Sequence, residues 1–287
     1  MERIKLYKGK VTILFNREKH KFSHLDGSSI DSVTSATGKL DKSNVLTWWA
    51  TRVMGERMLY DLGIVPEGHF SENNEENKKQ WLAIPSIINE HILKEKEENE
   101  EFDDWLVSIK SVFDTILAGK KEPSKRKVAA ADIGTEIHKW IEKWIGGKKP
   151  PFPEDERAKN GVIAFMKFIK ENDKLKLTSS EQFIYSKKYD YAGIKDWDAE
   201  EDGILVIGDN KSSKGIYTEM RYQLAGYWNA SEEESGKRYE KGIIAKFGKY
   251  DGEFEHLEIS RKEYKKDLKA FLGLLDTKRR ERELGSW

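Results

Sequence analysis

The sequence predicts an α/β (α+β) protein: a central mixed sheet flanked by helices, preceded by a mainly helical elaboration. Three observations carry this. From residue 131 onward the hydrophobic period switches between 3.6 and 2, in the order helix, helix, three strands, helix, two strands, helix. The run "GILVIGDN" is apolar at consecutive positions rather than alternating, as a strand covered on both faces is. The turn "EEDGI" joins that strand to the one before it as a hairpin.

Taken in order, residues 1–25 read as short strands, with "KVTILF" and "HKFSHL" flanking the polar "NREK". The stretch "DGSSIDSVTSATGKLDKS" is rich in turn formers. "NVLTWWATRVMGERMLYDLG" is expected to be helical, with Val45, Trp48, Trp49, Val53 and Met54 at helical spacing and Gly63 as its stop. Residues 64–78 read as a loop, and helical patterning resumes over Lys79–Lys94 and Asp103–Ala118. The one-signed, Gly- and Pro-punctuated "GKKEPSKRK" marks the internal boundary, giving an N-terminal region 1–130 and a core 131–287.

In the core, "ADIGTEIHKWIEKWIGG" is a helix with an apolar stripe of Ile133, Ile137, Ile141 and Trp144 that ends at Gly146–Gly147. "EDERAKNGVIAFMKFIKEN" is a second helix. The strands "SEQFIYSKKY", "YAGIKDWDAE" and "GILVIGDN" follow. The helix "YTEMRYQLAGYWNAS", the strands "KGIIAKF" and "GEFEHLEI", and a final helix from Ser260 complete the chain. Ser260 and Glu263 form the capping box of that last helix.

Charged residues make up 36% of the chain and apolar ones 37%, which fits a globular protein with a well-solvated surface. The formal charge is zero, 51 basic against 51 acidic residues, which argues against a broad basic face for duplex DNA but leaves room for a local groove. No apolar run approaches the ~20 residues of a membrane span, so no membrane partner is expected. "MERIKLYKGKVTILF" lacks the apolar segment of a secretory signal, and a cytoplasmic location is expected. The chain has no cysteine, which excludes disulfides, thiolate zinc sites and an iron–sulfur cluster.

The chemistry concentrates in "ILVIGDNKSSK". Residues two apart in a strand share a face, so Asp209 and Lys211 project together and Asn210 points away. The hairpin is long enough to lay Asp196 beside Asp209. Two carboxylates and an amine that converge suit a hard divalent cation, Mg²⁺ or Mn²⁺, acting on a phosphodiester. The competing reading of Asp209 and Lys211 is a salt bridge that caps a strand. Gln223 and Tyr227 lie at i and i+4 on one helix face, and His138 lies one position off the apolar stripe of its helix. An imidazole added to two carboxylates shifts the preference toward Mn²⁺.

The ordered series "GTEIH", "YAGIKD", "IGDNKSS" and "QLAGY" resembles the RecB-like branch of the PD-(D/E)XK nuclease superfamily, in particular its phage exonucleases and the mitochondrial genome-maintenance exonuclease group. The resemblance implies a PD-(D/E)XK core and a metal-dependent DNA exonuclease acting on single-stranded DNA ends in replication, repair or recombination. It implies Asp196 and Asp209 as acidic metal ligands and His138 as a ligand or near-ligand. It adds the backbone carbonyl of Asn210 as a further ligand, and Glu181 stands where many relatives carry an acid on the first strand. Lys211 would be the catalytic lysine, with Gln223 and Tyr227 positioning it or the substrate. Lys195 replaces the usual proline before the first acid, and Ser212 the usual threonine after the lysine. Competing functions are a structure-specific endonuclease on the same core and a non-catalytic nucleic-acid-binding protein on a decayed one. Residues 26–118 are expected to arch over the cleft and exclude duplex. Gly193 would let its strand bend toward the metal or serve plain packing. Trp140 and Trp144 are expected in the core, and Trp48 and Trp49 are candidates for stacking on bases.

Overall fold

A computed structural model describes residues 1–38, 40, 53, 54, 57, 60 and 131–285. The chain divides into two units, one of Met1–Leu40 with Ile133–Trp287 and the other of Asp41–Asp132. The boundary expected after residue 130 therefore falls after 132, and the first 40 residues join the core unit rather than the insertion. Of the expected helix over 44–63, Val53, Met54, Arg57 and Tyr60 are described and are helical. The loop 64–78, the two helices after it, "GKKEPSKRK", Trp48 and Trp49 lie outside the described residues.

The core unit is mixed α/β, a central mixed sheet flanked by helices. It opens on β1 (Glu2–Leu6), β2 (Val11–Asn16) and β3 (Lys21–Ser23), an antiparallel meander in which Ile4, Leu6, Ile13, Phe15 and Phe22 face inward. The turn-rich stretch then yields β4 (Ser29–Ser32) and the short α1 (Val33–Thr37). Ser32 caps α1 through a reciprocal pair of bonds with Ser35. Both elements belong to the core unit.

Helix α2 spans residues 131–145 and α3 is Glu156–Glu171. The hairpin series β5 (Lys176–Ser186), β6 (Tyr191–Glu201) and β7 (Ile204–Lys211) follows. The β6–β7 turn is the two-residue Asp202–Gly203, with φ of 47° and 83°. Positive φ at both positions is the twist-matched hairpin turn that Asp-Gly favours. Helix α4 (Thr218–Ser235) carries the chain to β8 (Tyr239–Phe247), parallel to β7, and β9 (Phe254–Ser260) returns antiparallel. Helix α5 (Arg261–Glu283) closes the chain, its first turn capped by Ser260 as expected.

Among the described residues the strands form one nine-stranded sheet in the order β1-β2-β3-β4-β6-β7-β8-β9, with β5 on β6. Side chains at period 2 send Ile207 and Ile244 to one face, where α1, α4 and α5 cover them with Leu224, Trp228 and Phe271. Val206, Ile243 and Ala245 point to the other, where α2 and α3 supply Ile133, Ile137, Ile141, Phe165 and Phe168. Trp140 lies buried in that second cluster and Trp144 packs against it. Each fully buried aromatic or aliphatic side chain contributes on the order of 1.5–3 kcal/mol. Asp31, 4% exposed, takes Lys278, Arg279 and Arg282 of α5 at 2.8, 3.0 and 3.2 Å and ties the last helix to β4.

Candidate active site

The site forms where β6 and β7 part. Strand β5 runs along one edge of β6. On the other edge, β4 pairs at Tyr191 and Ala192, and β7 pairs from Trp197 to Glu201. Residues 193–196 fall between these two ladders. The last pair of the hairpin is Trp197 with Gly208, and the same register continued one step would set Asp196 opposite Asp209. Instead the strands splay, and the carboxylate of Asp196 accepts the amide N–H of Asn210 at 2.6 Å. An extended residue presents its N–H and C=O along one edge, so the Asn210 carbonyl leaves β7 on the side of Asp196.

Asp209 and Lys211 share a face as expected, and Lys211 Nζ stands 2.5 Å from Asp209 Oδ2. The buried Asp209 carboxylate thus has the lysine ammonium as its ion-pair partner. Lys211 Nζ also donates to Gln223 Oε1 at 3.0 Å, and Gln223 Nε2 donates to the Tyr227 hydroxyl at 2.8 Å. Gln223 and Tyr227 are one turn apart on α4, which lets Tyr227 hold the glutamine that reaches the lysine. On the other side, His138 Nδ1 of α2 lies 3.5 Å from Asp196 Oδ1. His138 is 28% exposed and Asp196 14%, while Asp209 is 2% exposed. Two contact chains result, His138–Asp196–Asn210 N–H and Asp209–Lys211–Gln223–Tyr227, which adjoin through the Asp209–Asn210 peptide bond.

The electrostatics follow from that geometry. Burial pushes the Asp209 carboxyl up to about 6, against the pull of Lys211 and with the push of Asp196. Burial also works against ionisation of Asp196, but the neighbouring His138, Lys211 and the Asn210 N–H outweigh it and hold its carboxyl below the usual range. Burial opposes the His138 imidazolium, and the charge and hydrogen bond of Asp196 overcome it, so this histidine lies above its ordinary value. Burial raises the Tyr227 phenol well above the usual range, reinforced by the charges of Asp209 and Asp196.

Glu181 of β5 is raised by burial and by the charges of Glu142 and Asp196. Its backbone is left-handed, with φ of 45°, an uncommon conformation for glutamate that interrupts the regular strand.

Among the described residues no three His, Asp or Glu side chains are already gathered around one point as a cation cage. The donors nonetheless fit Mg²⁺ or Mn²⁺. They comprise two carboxylates, an imidazole and a peptide carbonyl, the oxygen and nitrogen donors such ions accept.

Several supporting contacts escaped the sequence. Trp197 Nε1 donates to Asn210 Oδ1 at 2.8 Å on the α2–α3 face. Gly208 is required there, since a Cβ would stand 1.9 Å from the Trp197 ring. A glycine inside an apolar strand is the signal that could have found this contact. Gly134 of "GTEIH" has a similar reason, since a Cβ would stand 2.7 Å from Ser212 Oγ. Gly193 leaves room for a ring: a Cβ would meet Tyr227 at 2.8 Å and Val33 at 3.2 Å, which is a packing role. Lys195, 4% exposed, bonds Asp198 at 2.5 and 2.7 Å and the Tyr239 hydroxyl at 3.1 Å. Strict alternation would put residues 195 and 198 on opposite faces, so β6 twists between them, at Asp196.

No protein-family profile and no curated protein matches the chain. Among the solved structures similar over part of it are these two. The crystal structure of SSO0001 is 17% identical with a TM-score of 0.25, over 39% of this chain and 53% of that one. The alkaline exonuclease LHK-Exo from Laribacter hongkongensis is 13% identical with a TM-score of 0.28, over 54% of this chain and 91% of that one. The chain thus spans about half the length of the first of these. No helix among the described residues is long and apolar enough to cross a membrane.

Proposed function

We propose that this chain is a metal-dependent nuclease that hydrolyses DNA phosphodiester bonds from single-stranded ends. The observation that carries the reading is the buried ion pair of Asp209 with Lys211, whose ammonium Gln223 also holds, together with the Asp196–His138 pair. The four motifs that resemble the RecB-like nucleases support it, because they supply His138, Asp196, Asp209, Lys211, Gln223 and Tyr227.

In this reading Asp196, Asp209, His138 and the Asn210 carbonyl would hold Mg²⁺ or Mn²⁺, with Glu181 a further acid nearby. Such an ion, when bound, neutralises phosphodiester charge and acidifies water. The protein's own part is orientation. The Asn210 N–H fixes one oxygen of Asp196 and leaves the other toward His138. Gln223, held by Tyr227, fixes the Lys211 ammonium beside Asp209. From there Lys211 orients the attacking water and offsets charge that grows on the phosphoryl oxygens. Water adds to phosphorus and gives up one proton to solvent, the P–O bond to the leaving sugar oxygen breaks, and that oxygen takes up a proton from solvent.

The direct Lys211–Asp209 contact is also what a structural strand cap would show. Mg²⁺- or Mn²⁺-dependent cleavage of labelled DNA by the wild-type chain, abolished in Lys211→Ala, supports the nuclease. DNA binding with no cleavage supports the decayed core instead. Cutting of circular single strands supports the endonuclease. The role proposed for the insertion is to restrict access to single strands. A folded variant lacking residues 41–132 that still preferred single strands to duplex would remove that role.

A further inference from the structure

The side chain of Asn210 has no part in the chemistry above, yet it is 3% exposed and bonded to Trp197, itself 1% exposed. We propose that Trp197 and Asn210 form a positioning lock that sets how far β6 and β7 splay, and so how Asp196 and Asp209 present their oxygens to a divalent cation. The inference rests on the nuclease reading of the site.

The two residues are diagonal neighbours. Trp197 pairs with Gly208, and Asn210 lies two positions further along β7. Their bond therefore crosses the hairpin one step beyond the last ladder pair, where the strands separate. Each partner adjoins a carboxylate in sequence: Trp197 follows Asp196, and Asn210 follows Asp209 and precedes Lys211. The indole cannot shift, because it fills the space that the missing Cβ of Gly208 leaves and packs into the α2–α3 cluster. The Asn210 amide is thus pinned on one face of the sheet. The N–H of the same residue holds Asp196 at 2.6 Å along the strand edge. The ladder with β8 keeps the Asn210 backbone in place through Lys211, so loss of the pin would act on β6 and let the Asp196 carboxylate drift from the Asn210 N–H. Small divalent ions demand near-ideal ligand geometry, so a drift of a few tenths of an ångström weakens binding.

The test uses Trp197→Phe, Asn210→Leu and the double variant in the full chain. Trp197→Phe keeps an aromatic ring but strands a buried amide oxygen, and Asn210→Leu strands the indole N–H. The double variant replaces both partners by apolar groups and so removes the unpaired polar atoms. Each single variant should lower the melting temperature by about 2–8 °C. Each should also weaken Mn²⁺ binding by titration calorimetry about 10-fold or more, the scale for groups that orient metal ligands. The double variant should regain most of the melting temperature, yet keep the weakened Mn²⁺ affinity and need more Mn²⁺ for half-maximal cleavage. If Mn²⁺ affinity returns together with stability in the double variant, or never falls in Trp197→Phe, the lock is only structural and the inference fails alone. A wild-type chain that neither binds Mn²⁺ nor cleaves DNA overturns the nuclease reading with it.

Discussion

The amide N–H of Asn210 donates to Asp196 Oδ2 at 2.6 Å, across the point where the β6–β7 ladder has already ended. A backbone group that normally serves the sheet is here spent on a side chain. The carboxylate of Asp196 is held on one oxygen by that N–H and faces His138 Nδ1 with the other, at 3.5 Å.

Asp209 is a buried acid whose burial opposes its ionisation. Asp209→Asn keeps the shape, and the burial cost it removes is offset by the loss of the Lys211 ammonium's partner, so stability should stay within about 1 kcal/mol of wild type. Cleavage should fall by on the order of 100-fold or more. Thermal melts beside an end-labelled DNA assay measure both. A variant that loses stability and keeps its rate would show that Asp209 is a structural residue.

Gln223 connects Lys211 to Tyr227. Gln223→Leu removes both bonds at similar volume and should slow turnover by about 10–100-fold with little change in apparent DNA affinity. Tyr227→Phe removes only the far end of the relay and should cost less. Steady-state kinetics separate the two effects, and an equal loss in both would place Tyr227 nearer to the reaction than this reading does.

Asp31 is opposed by burial but held down to about 2 by Lys278, Arg279 and Arg282, against an ordinary value of 3.8. A lowered folded-state pKa adds stability that is present above the unfolded-state value and lost as pH falls through the folded one. The contribution, about 2 kcal/mol, should therefore be intact above pH ~4 and disappear toward pH ~2. Urea melts of wild type and Asp31→Asn should differ at pH 7 and converge at pH 2.

Two glycines should respond in opposite directions to alanine. A Cβ at Gly208 collides with the Trp197 ring at 1.9 Å, and Gly208→Ala should destabilise by about 3 kcal/mol. Gly273, inside α5, has nothing within 4 Å of a built Cβ. Gly273→Ala should stabilise by about 0.5–1 kcal/mol through helix propensity and loss of backbone freedom. Differential scanning calorimetry of both variants checks the pair.

Much of this core was legible because its signals are local. The stripe of Ile133, Ile137 and Ile141, the Asp202–Gly203 turn and the Ser260 cap each declare an element within a few residues, and each is present. The shared face of Asp209 and Lys211 followed from period 2 alone. What stayed hidden depends on distant partners. Strand β4 is four mostly polar residues, and its pairing of Asp31 with Tyr191 is made across the length of the insertion. Its inward face is secured by Asp31 and α5, which no window around residue 31 reveals. The twist of β6 at Lys195–Asp198 breaks the alternation that a sequence reading must assume. The Trp197–Asn210 bond likewise becomes visible only once the hairpin register is known.

The most direct test is a time course on 5′- and 3′-end-labelled linear single strands and on circular single strands, with Mg²⁺, with Mn²⁺ and with EDTA, for wild type and Lys211→Ala. The account predicts metal-dependent shortening of the linear strands by wild type, intact circles, and no products from the variant or in EDTA. Products that persist in EDTA or in Lys211→Ala, or no cleavage by the wild type with either metal, would contradict it.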